Sequence, residues 1–210
     1  MPYVVAIENV TKQFRGKRVL DNFSLEVISG AITGLVGGRG TGKTVALLCM
    51  LGLMRVNEGQ ISWRTDRKDV GALVGAPAFH RELSIRGNLE TQASLLPARD
   101  DGYVGRIDYL MSRLQITSAS VGDRAARHLL IGQKQRLAIA MALLGEPELL
   151  VLDEPNPSLD NHEVKIFSEL LREEGYGTRK SALITASAAE ELDGIASKVS
   201  YLREGRNASF

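Results

Sequence analysis

The chain has 210 residues, 26 Lys+Arg against 25 Asp+Glu for a net charge of +1, and 44% hydrophobic residues. That balance gives no bulk electrostatic case for a nucleic-acid partner or an anionic membrane surface, while the length is enough for one large core. The single cysteine, Cys49, excludes an internal disulfide; in its apolar helical setting it reads as a small buried hydrophobe, not a nucleophile.

Met1–Glu8 has neither a basic start nor a long apolar stretch, so no secretory leader is expected. Tyr3–Ile7 and Val19–Val27 flank the turn Arg15–Lys17 and predict an antiparallel sheet. Ile32–Val36 predicts a strand and Val45–Met54 a helix, the latter too short to span a bilayer. A soluble chain is therefore expected, with any membrane role coming through a partner. Between strand and helix lies Gly37–Thr44, GGRGTGKT. Strand, glycine-rich loop and helix form the context in which G-x-x-x-x-G-K-[ST] reads as a phosphate-binding loop. Its glycines turn successive N–H groups onto a polyphosphate and the helix adds its positive end. Lys43 would reach the β- and γ-phosphates, and the Thr44 hydroxyl would take one position on Mg²⁺.

Glu58–Trp63 predicts a turn into another strand, and Val70–Val74 a further short one. From about residue 77 to 129 two helical patterns, Ile85–Leu96 and Val104–Leu114, interrupt the strands; they read as a helical insertion within one domain over 1–210. Gln133–Leu144 predicts a long amphipathic helix. Leu149–Leu152 is a continuous apolar run ending in Asp153-Glu154, the mark of a buried parallel strand. Helices over Val164–Glu173 and Ala188–Ile195 and strands over Ala182–Thr185 and Val199–Leu202 complete an α/β alternation with a mostly parallel sheet. A carboxylate at the mouth of a buried strand needs a partner. With a phosphate loop upstream, Asp153 would hold Mg²⁺ opposite Thr44, and Glu154 would take a proton from water attacking the γ-phosphate. The alternative is two solvated acids opening a turn before Pro155.

GGRGTGKT, then GQKQRLAIAMALLGEPELLVLDEP, then Ser158-Leu159-Asp160, in that order over essentially the whole chain, resemble the ATPase subunit of an ATP-binding cassette (ABC) transporter. The resemblance implies a phosphate-loop (RecA-like) core with an N-terminal antiparallel β subdomain and an inserted α-helical subdomain. It implies ATP and Mg²⁺ as ligands. The nucleotide would be held by Gly37, Gly38, Arg39, Gly40, Thr41, Gly42, Lys43, Thr44 and Val45, with Glu154 the general base beside Lys43. Phe14 falls where an aromatic stacks on adenine, core packing being the competing reading. A second ATPase domain would pair head to tail, so that Gly132 and Gln133 of one chain complete the site of the other across a loop containing Ser158–Asp160. A transmembrane permease subunit would dock the helical insertion and hold the chain on the cytoplasmic face of the membrane.

Several positions depart from the pattern. The signature Leu-Ser-Gly-Gly-Gln is here Leu129-Leu130-Ile131-Gly132-Gln133, so the serine donor is lost to Leu130 and close backbone approach is hindered by Ile131. Ser187 stands at the switch histidine and Gly75 at the linking glutamine. Val45 replaces a hydroxyl residue. Arg39 replaces an asparagine; it would touch phosphate or, the preferred expectation, point into solvent. Losing one preorganised donor costs about 3 kcal/mol of barrier, so ATP binding is a firmer expectation than rapid hydrolysis. Ala76–Phe79, Leu83–Leu89 and Gly132–Leu137 are similar to the bacterial branch exporting antibiotic peptides and lantibiotics, although that branch carries glutamate where Gly75 stands. Two readings remain open: a slowly hydrolysing transport subunit, and a nucleotide-gated module that dimerises without productive turnover. A role in DNA repair or translation is disfavoured, because no coiled-coil, zinc-binding or tandem-cassette addition is visible.

Overall fold

The N-terminal alternation produces two long strands, β1 (Tyr3–Phe14) and β2 (Lys17–Ile28), paired antiparallel. Arg15 and Gly16 both take positive φ between them, the backbone of a tight hairpin whose twist matches its strands. The computed structural model describes residues 2–66, 69–116, 125–155 and 161–208. In it β4 (Glu58–Trp63) pairs with the other edge of β1, giving a three-stranded antiparallel sheet in the order β2-β1-β4.

The second sheet has six strands in the order β5-β6-β7-β3-β8-β9. These are β3 (Ile32–Val36), β5 (Val70–Leu73), β6 (Leu149–Leu152), β7 (Ser181–Ala186), β8 (Lys198–Arg203) and β9 (Arg206–Ala208). All neighbours are parallel except β8 and β9. β3, β6 and β7 are buried along their whole length, which is why they read as continuous apolar runs: both faces of the sheet are covered. On one face Leu35, Val151 and Leu183 pack with Ala46, Leu47 and Met50 of α1 (Lys43–Met50) and with the antiparallel sheet through Leu20 and Phe23. On the other, Leu150, Leu152 and Ile184 share a core with α2 (Ile85–Ala93), α3 (Val104–Arg113), α4 (Ile131–Leu143) and α5 (Asn161–Glu173). Fully burying a Leu or Met side chain stabilises by about 1.5–3 kcal/mol, so Leu47→Asp would detach α1 and the loop ahead of it.

The chain between β5 and β6 carries α2, α3, a short 3₁₀ turn over Ala126–His128, and α4. Arg106 of α3 and Glu174, just past α5, form a buried bidentate pair at 2.6 and 2.8 Å, and Arg106 also donates to the Leu143 carbonyl at 2.9 Å. These bonds fix α3 to the ends of α4 and α5.

Two elements differ from expectation. The helix expected over Ala188–Ile195 is only a 3₁₀ turn, Ala189–Leu192, because Asp193 turns extended and Gly194 takes φ +69. β9 was not anticipated, since Arg206 and Asn207 give it no apolar alternation. Positive φ at Glu204 and Gly205 turns the chain back on β8. Asn207 then exchanges hydrogen bonds with the Ser24 backbone at 2.8 and 2.7 Å, tying the large sheet to β2.

Candidate functional site

β3 ends inside the core and the chain must turn at once into α1, so the loop at 37–42 is built from close backbone approaches. The Gly37 N–H donates to the Ala186 carbonyl at the end of β7, 3.1 Å away, and a Cβ on Gly37 would run into the Leu202 carbonyl. Gly42 caps α1 with φ +110, where a Cβ would lie 2.8 Å from the Val19 carbonyl. Only glycine meets both demands. Thr41 closes the turn by donating to the Gly38 carbonyl at 2.9 Å.

Lys43, the first residue of α1, is 4% exposed. Its ammonium donates to the Gly37 carbonyl and, at 3.0 Å, to that of Gly38, and pairs with Glu154 at 2.9 Å. A buried ammonium is tolerable because its donors are engaged in this way. Beside it the Thr44 hydroxyl donates to Asp153 Oδ2 at 2.6 Å. Asp153 Oδ1 accepts from the Thr185 hydroxyl at 2.7 Å, and that hydroxyl in turn accepts the Glu154 N–H at 2.9 Å. Ser187 donates to Glu154 Oε1 at 3.1 Å. Glu191 accepts the N–H groups of Ser187 and Ala188 at 3.2 and 2.9 Å, which holds Ser187 there.

Partial burial pushes the Glu154 carboxyl up. The hydrogen bond and charge of Lys43, the Ser187 hydroxyl and the charge of Arg39 outweigh it and hold the group below its ordinary range. Glu154 is thus an anion at neutral pH and a weak base, because a base works best with a pKa near the working pH.

These groups open onto a cleft of about 550 Å³ lined by Val19, Arg39, Gly40, Gly42, Lys43, Thr44, Val45, Gly75, Gln135, Asp153 and Glu154. Arg39, Gly40 and Thr44 are exposed there, whereas Gly37, Gly38 and Thr41 of the same loop are not among the lining residues. Exposed loop backbone leading into a helix N-terminus, with a lysine at its base, suits a polyphosphate. The paired oxygens of Thr44 and Asp153 suit a hard divalent cation such as Mg²⁺. The Thr44 and Asp153 side chains, expected to share a cation, lie within hydrogen-bond distance of each other.

Residues 20–156 match the family model described as "ABC transporter". The chain belongs to the ABC transporter family. It is 30% identical over 211 residues to the uncharacterized ABC transporter ATP-binding protein YdbJ of Bacillus subtilis, covering 96% of this chain and 67% of that protein. It is also 30% identical to the bacitracin transport ATP-binding protein BcrA of Enterococcus faecalis, over 98% of this chain and 68% of the relative. The fold matches the dimeric structure of MJ0796, a bacterial ABC transporter cassette, with TM-score 0.86 and 20% identity, covering 98% of this chain and 97% of the other.

Within this ABC chain the expected residues do not all meet. Phe14 ends β1 with 43% of its surface exposed and the Lys12 ammonium 5.0 Å from its ring centroid; core packing is excluded, yet Phe14 is not among the cleft-lining residues. Gly132 and Gln133 lie in the first turn of α4, outside the cleft lining. Gln133 instead accepts the Leu130 N–H at 2.9 Å. Leu130 caps α4 without a side-chain acceptor, and it and Ile131 are each 72% exposed. Ser158–Asp160 lie outside the described residues. Arg39 is exposed and also lines the cleft, where its charge acts on Glu154, a position that fits both the solvent-facing and the phosphate-touching reading. Gly75 sits in the cleft wall with φ +74 and open space where a side chain would be.

The sequence reading missed Thr185, Glu191 and Gln135. A hydroxyl ending the otherwise apolar run Ala182–Ile184 was the available signal for the first. Glu191 sits four residues past Ser187, a spacing that suits back-capping of a turn. Gln135 had no signal distinguishing it from its polar neighbours in α4.

Proposed function

We propose that the chain is the ATP-binding subunit of a membrane transporter, coupling Mg-ATP binding and slow hydrolysis to movement of a cargo. The convergence of Lys43, the Thr44–Asp153 pair and Glu154 on one cleft carries this reading. The loop N–H groups and the start of α1 hold the phosphates, and Lys43 exchanges its loop carbonyls for β- and γ-phosphate oxygens. Thr44 and Asp153 hold Mg²⁺, which when bound supplies positive charge against the developing charge on the phosphates. In hydrolysis a water oxygen bonds to the γ-phosphorus, its proton passes to Glu154, and the bond to the bridging oxygen breaks, leaving ADP and phosphate. Phe14, exposed at the end of β1, offers its ring for stacking on the adenine.

The chain acts as one domain over 1–210, with the helices at about 77–129 as an inserted lobe. A groove of about 330 Å³ between β5, α2 and α4, walled by Leu73, Ala78, Leu96 and Met141, takes a cytoplasmic helix of the permease and so places the chain at the inner face of the membrane. Among the described residues no helix is long and apolar enough to cross a membrane, which fits anchorage through that partner. A second cassette meets the exposed start of α4, where Gly132 and Gln133 face its nucleotide. The relationship to bacitracin transport proteins supports an antibiotic or peptide as exported cargo.

A second reading draws on the apolar start of α4 and on Ser187 in place of an imidazole: a nucleotide-gated module that dimerises without productive turnover. Steady-state phosphate release by the full chain and by Glu154→Gln, with ATP binding measured on both, separates the two. The transport-subunit reading expects release from the wild type, a loss of about 10²- to 10⁴-fold in the variant, and ATP binding in both. Binding by both with turnover by neither gives the module reading instead.

A further inference from the structure

The end of β7 lies between the two halves of the site, since β6 brings Asp153 and Glu154 on one side and β3 brings the phosphate loop on the other. Leu183 and Thr185 fall on the sheet face that carries Leu35 and Val151 and packs on α1, with Asp153 continuing the Val151 column. In this apolar column Thr185 is completely buried. A valine would fill the same space with no hydroxyl to satisfy, and a buried hydroxyl is unfavourable unless bonded. Here it is bonded twice, donating to Asp153 Oδ1 at 2.7 Å and accepting from the Glu154 N–H at 2.9 Å.

Each bond fixes a different part of the site. With Oδ1 held by Thr185 and Oδ2 by Thr44, the Asp153 carboxylate cannot rotate without breaking one bond. Glu154 has φ +45, a conformation uncommon outside glycine, asparagine and aspartate. Its N–H has left the sheet ladder and needs a partner; the Thr185 hydroxyl supplies it and thereby aims the side chain at Lys43 and Ser187.

We propose that Thr185 is a positioning residue whose hydroxyl sets the Asp153 carboxylate toward the Thr44 hydroxyl for a divalent cation and holds the left-handed turn that presents Glu154. The proposal rests on the Mg-ATP reading above. A hydroxyl serving packing alone would affect stability and leave cation dependence unchanged.

Binding of a fluorescent ATP analogue to the full chain, titrated with Mg²⁺ and repeated in EDTA, tests this with Thr185→Val and Thr185→Ser. In EDTA all three chains are expected to bind equally, which also confirms that the loop is folded. Under titration the valine variant needs about tenfold or more Mg²⁺ for half-saturation, and serine restores the wild-type midpoint. If the valine chain fails to bind in EDTA, Thr185→Ala removes the hydroxyl without adding apolar bulk and replaces it. A hydroxyl-free variant that titrates like the wild type, or a serine variant shifted as far as valine, overturns the positioning role alone. A wild-type chain that binds no nucleotide under either condition overturns the ATP reading, and this role falls with it.

Discussion

Two helix N-termini in this molecule, one capped by Gly42 and the other by Leu130, are finished in opposite ways. At α1 the strand–loop–helix turn is tightly specified: Lys43 has its donors engaged, Thr44 and Asp153 face each other, and a Cβ at Gly37 or Gly42 would strike backbone. At α4 the N-cap and the first helical residue are Leu130 and Ile131, projecting into solvent over half a capping box. Both ends offer N–H groups and a partial positive charge. The first sets charged and hydroxyl side chains around them, while the second flanks them with two exposed apolar side chains and a single amide acceptor, Gln133. The two ends can therefore be altered independently, one inside the cleft and the other outside its lining.

The largest effect is expected at the intact end. Lys43→Met keeps the aliphatic stem that fills the base of the loop but removes the ammonium. ATP affinity should fall by about 100-fold, corresponding to about 3 kcal/mol for hydrogen bonds from a charged donor. Isothermal titration, with thermal unfolding to confirm the fold, measures it. Wild-type affinity in the variant would break the comparison, because the phosphate would then be held elsewhere.

At the other end a gain is expected. Leu130 already has the extended backbone of an N-cap, φ −66 and ψ 162, and Gln133 already accepts its N–H. Leu130→Ser would complete the reciprocal pair and add about 1 kcal/mol of stability, visible as a raised unfolding midpoint. If this end faces the nucleotide of a second cassette, the new hydroxyl also raises phosphate release by about tenfold or more, with an effect that grows with protein concentration. A stability gain with unchanged turnover would place the start of α4 away from nucleotide.

The difference between the two ends also marks what the sequence could reveal. Gly37–Thr44 and Asp153-Glu154 were legible because their chemistry is local: residue types at fixed spacing beside a buried strand. The continuous runs of β3 and β6 were legible because both their faces are covered. Thr185 was not, since its meaning comes from the pairing of Leu152 with Ile184, which sets the ends of β6 and β7 side by side. The Arg106–Glu174 pair joins residues 68 positions apart, and no local pattern announces it. β9 is held by hydrogen bonds of Asn207 to β2, not by apolar alternation. The action of the Arg39 charge on Glu154 was not legible either, because Glu154 reaches the cleft from another strand.

The smallest expected effect lies at Arg39, between the loop and the carboxylate. Its charge faces the cleft from the exposed turn, where water and salt weaken it, so Arg39→Ala should lower ATP affinity by about twofold to fivefold, more at low ionic strength than at high. Arg39→Lys should recover most of this, because a screened point charge is sufficient. The same substitution bears on pH dependence. Glu154 is held below its ordinary value of 4.5, so its carboxylate contribution is complete above that value and is lost as pH falls through the lower folded one. Arg39 is the weakest of the lowering influences, behind Lys43 and Ser187. Its removal should move the acid limb of phosphate release slightly upward while leaving the rate near neutral pH governed by the same ionised base. An acid limb that stays put, together with unchanged ATP affinity, would make Arg39 a solvent charge with no part in nucleotide binding and leave Lys43 as the working cation of the loop.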